Sequence, residues 1–242
     1  MENLKLKDLA QYIDHTNLHS DARESEIREL CAEAIQFGFK SVCIHPYYVP
    51  LAARELEGSE VMVCTVIGFP LGQNRAEAKA CEARDAIAAG ADEVDMVINL
   101  AACKNGHWDE VEADIRGVVE AADGHTVKVI LECSMLSDVE VTQAAASARK
   151  AGAHFVKTST GFQGRGASVD DVSRMQAACG SNVQIKASGG IRDLQTCLDM
   201  IRAGATRIGT SSGSKIMHEA EAAAKNDLIL CLGDGEALPT KI

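Results

Sequence analysis

The sequence predicts an α/β fold, a closed (β/α)8 barrel formed as a single domain over residues 1–242. Three observations predict it. Short runs rich in Val, Ile and Thr alternate with Ala-, Glu- and Lys-rich segments of helical spacing, the pattern of βαβ units with parallel pairing. Several of the runs are almost continuously apolar, which means that both faces of the sheet are covered. A loose repeat, a helix end with Ala-Gly-Ala and then a strand, appears in "AAGADEVDMV", "KAGAHFVKTS" and "RAGATRIGTS", with "QFGFKSVCIH" as a freer copy.

Eight strands are predicted. The first four are "YIDHT" (12–16), "SVCIHP" (41–46), "VMVCTVIG" (61–68) and "EVDMVINL" (93–100). The others are "VKVILECS" (127–134), "FVKTST" (155–160), "VQIKASG" (183–189) and "RIGTSS" (207–212). The repeat glycines Gly38, Gly90, Gly152 and Gly204 lie 52, 62 and 52 residues apart, about every second βα unit. Each suits the left-handed position that follows a helix C-terminus. Between the third and fourth strands, Ala76, Ala80, Ala83 and Ile87 form a narrow apolar stripe that predicts a helix with that face inward. Eight strands with eight helices favour TIM-barrel closure over an open doubly wound sheet, and no shift in composition marks a second domain.

A chain that is 46% hydrophobic and 24% charged can bury a substantial core. Its formal charge of −11 argues against a nucleic-acid or membrane partner, while leaving room for a local positive pocket that takes a phosphorylated metabolite. No run approaches the ~18 apolar residues of a spanning helix, and "MENLKLKDLAQYIDHT" has no secretory h-region. The nine cysteines are scattered, with no C-x-x-C pair and an odd count, so a reduced, intracellular and cytoplasmic chain is expected. The Ala-rich outer helices suit either a homodimer contact or packing within one barrel; the sequence leaves that open.

In a barrel the functional groups gather at the C-terminal strand ends. Asp14 ends the first predicted strand, and Cys43 and His45 end the second. Asp95 lies in the fourth, Lys157 in the sixth and Lys186 in the seventh. Lysine is rarely buried without a partner. Each of the two lysines is therefore either half of a buried ion pair, with Asp95 or Glu132, or a nucleophilic amine. Burial and a neighbouring ammonium both favour a neutral amine near pH 7, and lysines at matching depths on adjacent strands are close neighbours. Asp95 suits proton transfer. Asp14 either orients that relay or caps a turn.

The segments "ASGGIRD" and "GTSSGSK" follow the seventh and eighth strands, where barrels frequently hold phosphate on backbone N–H groups. Gly189, Gly190, Gly209, Ser211 and Ser212 are the candidates there, with Thr158 and Cys43 expected to touch substrate. His15 and His19 lie four apart on a segment that leaves a strand, and no metal-ligand spacing accompanies them. Chemistry built on two lysines needs no metal or other cofactor.

Taken together, "IDHT", "VIGFPLG", "GADEVDMVIN", "FVKTSTGF", "KASGGIR" and "RIGTSSG" resemble the deoxyribose-phosphate aldolase family, from Tyr12 to about Ile216. The resemblance implies a class I aldolase on a (β/α)8 barrel. It would reversibly cleave 2-deoxy-D-ribose 5-phosphate to D-glyceraldehyde 3-phosphate and acetaldehyde, in deoxyribonucleoside catabolism. It assigns the Schiff base to Lys157 and a proton-transfer role that lowers the Lys157 pKa to Lys186. Asp95 becomes the proton donor and acceptor, with Asp14 in support. Three features depart from the family pattern: Arg165 in "GFQGRGAS", His45 at the substrate mouth, and an ending "GDGEALPTKI" without a tyrosine. An exposed Cys43 is expected to be open to enals derived from acetaldehyde. Within enzymes the alternatives are an aldolase for another phosphorylated aldose or keto acid, or a phosphosugar isomerase. Outside enzymes the alternative is a catalytically silent phosphate binder.

Overall fold

The computed structural model describes residues 3–224 and 228–231, so the C-terminal "GDGEALPTKI" lies outside the described residues. In chain order the first half comprises β1 (Asn3–Lys5), α1 (Leu6–Ala10), β2 (Ile13–Asn17), α2 (Glu24–Phe37), β3 (Ser41–Ile44), α3 (Val49–Glu55), β4 (Met62–Ile67), α4 (Ala76–Ala88), β5 (Glu93–Val97) and α5 (Leu100–Lys104). It continues with α6 (Trp108–Ala121), β6 (Thr126–Ile130), α7 (Asp138–Lys150), β7 (Phe155–Lys157) and α8 (Val169–Cys179). The last elements are β8 (Gln184–Ser188), α9 (Leu194–Arg202), β9 (Arg207–Thr210), α10 (Gly213–Ala223) and β10 (Leu228–Cys231).

Strands β2 to β9 close into a parallel barrel in sequence order, and each overlaps one of the eight predicted runs. Closure runs through β2, where Asp14 stands opposite Ser41 of β3 on one side and Gly209 of β9 on the other. A separate antiparallel pair, β1 with β10, was not expected from the sequence. The four repeat glycines all have positive φ, from 68° at Gly38 to 114° at Gly204, as the helix-end reading requires. Helix α7 starts at Ser137, whose hydroxyl accepts from the Glu140 N–H while the Glu140 carboxylate accepts from the Ser137 N–H, two otherwise orphaned donors satisfied together.

The apolar core lies between barrel and helices. In β5 the period-two alternation sends Val94 and Met96 outward into that core and Glu93 and Asp95 into the barrel. Helix α4 departs from expectation, because its buried line is Lys79, Ala83 and Ala86, rotated from the predicted alanine stripe. The reason is electrostatic. The Lys79 ammonium donates to the Val97 carbonyl at 2.9 Å and pairs with Asp114 of α6 at 2.5 Å, so a lysine fills a core position. Barrel interiors are usually packed with branched apolar side chains. This one is filled with charge.

Candidate active site

The charged interior begins with Asp95. Its Oδ2 accepts from Lys157 Nζ at 2.8 Å and from Lys186 Nζ at 2.7 Å. Its Oδ1 accepts from Lys128 Nζ at 2.9 Å and from the Cys64 thiol at 3.2 Å. Lys157 and Lys186 are direct Cα partners across β7 and β8, so the expected matching depth holds. Asp14 caps nothing; it takes the Ser41 hydroxyl at 2.7 Å, Arg207 at 2.8 Å and the Lys186 ammonium at 2.5 Å. Glu93 completes the cluster against Lys128 at 2.6 Å and Arg207 at 2.8 Å. Arg207 lies over the Phe155 ring, 5.1 Å from its centroid.

All seven charged residues are buried. Burial opposes ionisation of Asp95, but Lys128, Lys157 and Lys186 outweigh it and hold its carboxyl well below the usual range. Asp14 is lowered in the same way, burial being overcome by Arg207, Lys186 and Lys128. For Lys186 burial favours the neutral amine, yet Asp14 and Asp95 raise it above its ordinary value, so it stays an ammonium. The cluster thus has four basic groups and three carboxylates. Replacing a buried ion cluster by apolar residues is often neutral or stabilising, so stability alone gives no reason to keep it.

A cavity of about 310 Å³ opens at the C-terminal strand ends, and among the described residues Lys157 is the one lysine on its wall. Gly189, Gly190, Gly209 and Ser211 line it as well. Ser212 does not reach the wall; it sits at the N-cap of α10 without a side-chain capping bond, which leaves first-turn N–H groups free for an anion. Arg192, two residues after Gly190, brings a cation to the same wall. Thr158 is buried away from the cavity, where its hydroxyl donates to the Ser188 carbonyl and accepts from the Ser188 N–H, tying β7 to β8.

Several expectations need correction. Cys43 is fully buried, in a small apolar cluster with Leu18, Cys64 and Val66, and it is not on the cavity wall. The Cys64 thiol beside it draws the Cys43 thiol down to about 7, against the effect of burial. Glu132 is no partner for the lysines; it accepts from the Thr160 hydroxyl and N–H, and burial pushes its carboxyl up. Arg165 turns to α8, where it pairs with Asp171, instead of to the cavity. His45 sits behind the mouth, bonded to the Leu18 carbonyl at 2.9 Å. His15 pairs with Glu33 at 2.5 Å beside Phe39, apart from the cavity wall on which His19 lies. Two buried groups have a metal-like arrangement, Cys43–Cys64–Asp95 and Asp14–Cys64–Glu93, and in both the Lys128 ammonium already sits against members of the group, on Cys64, Asp95 and Glu93.

Lys128, Glu93, Arg207 and Arg192 were missed from the sequence. Lys128 carries the signal that revealed Lys157, a lysine in an apolar strand run.

Fold and site together define a barrel enzyme of the aldehyde-lyase class, an aldolase. The family description "DeoC/LacD family aldolase" matches residues 9–219, and the chain belongs to that family. It is 52% identical over 214 residues to the deoxyribose-phosphate aldolase of Staphylococcus carnosus, covering 88% of this chain and 97% of that one. It is 54% identical over 211 residues to the enzyme of the same name from an Exiguobacterium species, covering 87% and 96%. Among solved structures, a tetrameric deoxyribose phosphate aldolase from Aeropyrum pernix superposes with a TM-score of 0.84 at 37% identity, over 90% of this chain and 93% of that one.

Proposed function

We propose that the protein reversibly cleaves 2-deoxy-D-ribose 5-phosphate to D-glyceraldehyde 3-phosphate and acetaldehyde through a Schiff base on Lys157. One observation carries this reading: among the described residues Lys157 is the only lysine on the cavity wall, and it shares a single carboxylate oxygen with Lys186, whose ammonium Asp14 and Asp95 stabilise. With four basic groups facing three carboxylates, the cluster balances when one base is neutral. Lys157 holds only one oxygen of Asp95, while Lys186 holds that oxygen and Asp14 besides, so Lys157 is the amine with the fewest contacts to break when it attacks a carbonyl.

Addition of the Lys157 amine to the C1 aldehyde and loss of water give an iminium ion. That ion accepts the electron pair when the C2–C3 bond breaks, while a base takes the proton of the C3 hydroxyl and C3 becomes the aldehyde carbon of glyceraldehyde 3-phosphate. Asp95, held as a carboxylate within reach of both lysines, is the acceptor, directly or through one water. Glyceraldehyde 3-phosphate departs, and the remaining enamine is protonated and hydrolysed to acetaldehyde. Gly190, Ser211, Arg192 and the first turn of α10 would hold the phosphate and position a short polar substrate. The reaction belongs to deoxyribonucleoside catabolism in the cytoplasm, a compartment that suits the eight free cysteines among the described residues. Among those residues no helix is long and apolar enough to cross a membrane.

Borohydride reduction in the presence of deoxyribose 5-phosphate, followed by peptide mass spectrometry, tests the proposal. A substrate-dependent adduct on Lys157 is expected. A folded protein that gives none would overturn the imine mechanism, and an adduct on Lys186 would exchange the two roles.

A further inference from the structure

The opposite, N-terminal end of the barrel carries a second cavity of about 560 Å³, within the range of small-molecule sites. Its floor is Arg207 with Glu93, the far side of the charge cluster. Lys40, Arg149 and His154 stand on its wall with the amide of Asn182. Neither Lys40 nor Arg149 pairs with a carboxylate among the described residues. The one carboxylate on the wall, Glu93, is already taken by Lys128 and Arg207. His154 accepts the Val127 N–H on Nδ1 at 3.1 Å, which leaves its Nε2–H to donate. Arg207 has five N–H donors, and three bonds to Asp14 and Glu93 use three of them. A protein of net charge −11 thus presents at this end a concave wall on which, among the described residues, two cations have no carboxylate partner and further N–H donors stand beside them.

We propose that this N-terminal cavity binds a small phosphorylated, hydroxyl-bearing metabolite, at a site separate from the catalytic mouth. Guanidinium and ammonium groups suit the phosphate, and the Asn182 amide suits sugar or polyol hydroxyls. The site stands whether or not Lys157 forms an imine.

Equilibrium dialysis of the full chain against labelled glycerol 3-phosphate, which has no carbonyl, tests it. Wild type is expected to bind two equivalents, one at each end of the barrel, and a Lys40→Gln/Arg149→Gln protein only one. The affinity of the affected site should fall at least about tenfold when two charge-assisted contacts are removed. If the catalytic mouth binds no phosphate, the counts become one and zero, which still supports the cavity. Equal stoichiometry and affinity in the two proteins would overturn the proposal. Asn182→Asp, which adds an anion without shortening a cation, serves as a second variant: unchanged binding in that folded protein overturns it as well.

Discussion

Lys157 and Lys186 face each other in register on β7 and β8 and donate to the same oxygen of Asp95. One carboxylate oxygen cannot neutralise two ammonium groups, and only Lys186 has a second carboxylate, Asp14, at 2.5 Å. Lys186→Met should therefore act through charge. Its loss leaves Asp14 without its ammonium and removes the group that shares the Asp95 oxygen with Lys157, and kcat is expected to fall by about 10²–10⁴. Removing one member of a buried pair also costs about 3–5 kcal/mol of stability. Steady-state kinetics and denaturant unfolding read the two effects separately.

Lys128 lies on the other side of Asp95 and also binds Glu93, beyond the cavity wall. It positions Asp95 instead of touching substrate. Lys128→Met should lower kcat by about tenfold to a hundredfold with KM little changed, because Asp95 loses its Oδ1 anchor. The acidic limb of the kcat profile should move to higher pH, since Asp95 loses one of the cations that hold its carboxyl down. A loss of stability with an unmoved pH profile would make Lys128 merely structural.

How much of this was legible in the chain follows from what a strand pattern can carry. Lys157, Lys186 and Asp95 stand out because each interrupts an apolar run, and the eight-fold alternation supplies their place at one end of a barrel. Arg207 and Glu93 open their strands, where a charged residue reads as a polar loop edge. Only closure of the barrel points them inward toward Asp14 and Lys128. Cys43 looked like a mouth residue because it ends a strand, yet its direction depends on the barrel's stagger, which a single strand does not encode. Lys79 was hidden for a similar reason: its partner Asp114 lies on the next long helix of the sequence, and helical spacing alone assigns a lysine to solvent.

Burial separates the cysteines. Of the eight described as free, Cys81 alone is exposed. A maleimide at neutral pH should modify Cys81 first and leave activity intact, and Cys43 should react only on unfolding, despite a thiol drawn down to about 7. Peptide mapping against time checks this. Loss of activity in step with early Cys43 labelling would contradict the closed packing around Leu18, Cys64 and Val66.

The loop after β7 packs backbone to backbone against the glycine turn after β8. A Cβ at Gly166 would lie 2.0 Å from the Gly189 carbonyl oxygen, and the Ala167 N–H donates to that same oxygen at 3.0 Å. Gly166→Ala must then push the loop away from the cavity wall formed by Gly189 and Gly190. KM for the phosphorylated substrate should rise at least about tenfold, and stability should fall by about 1–3 kcal/mol as for other overpacked sites. Little change in KM would separate this loop from substrate binding.

Acid should first stabilise the protein and then unfold it. Burial raises Glu132 and Asp114 in the folded state, against the pull of Thr160 and Lys79 respectively. As pH falls from 7 toward about 4, the native state takes up these protons before the unfolded chain does, so stability rises. Asp14, Glu93 and Asp95 run the other way: burial is outweighed by Lys128, Arg207 and the site lysines, and all three are lowered. Their contribution is present above the unfolded value of about 4 and is lost below it, where the unfolded chain binds three protons that the native state refuses. The slope there is about 4 kcal/mol per pH unit. Urea unfolding between pH 3 and pH 7 should show a maximum on the acidic side of neutral, followed by a steep fall. In Glu132→Gln the fall should remain while part of the mild-acid rise disappears, which assigns the two limbs to different groups.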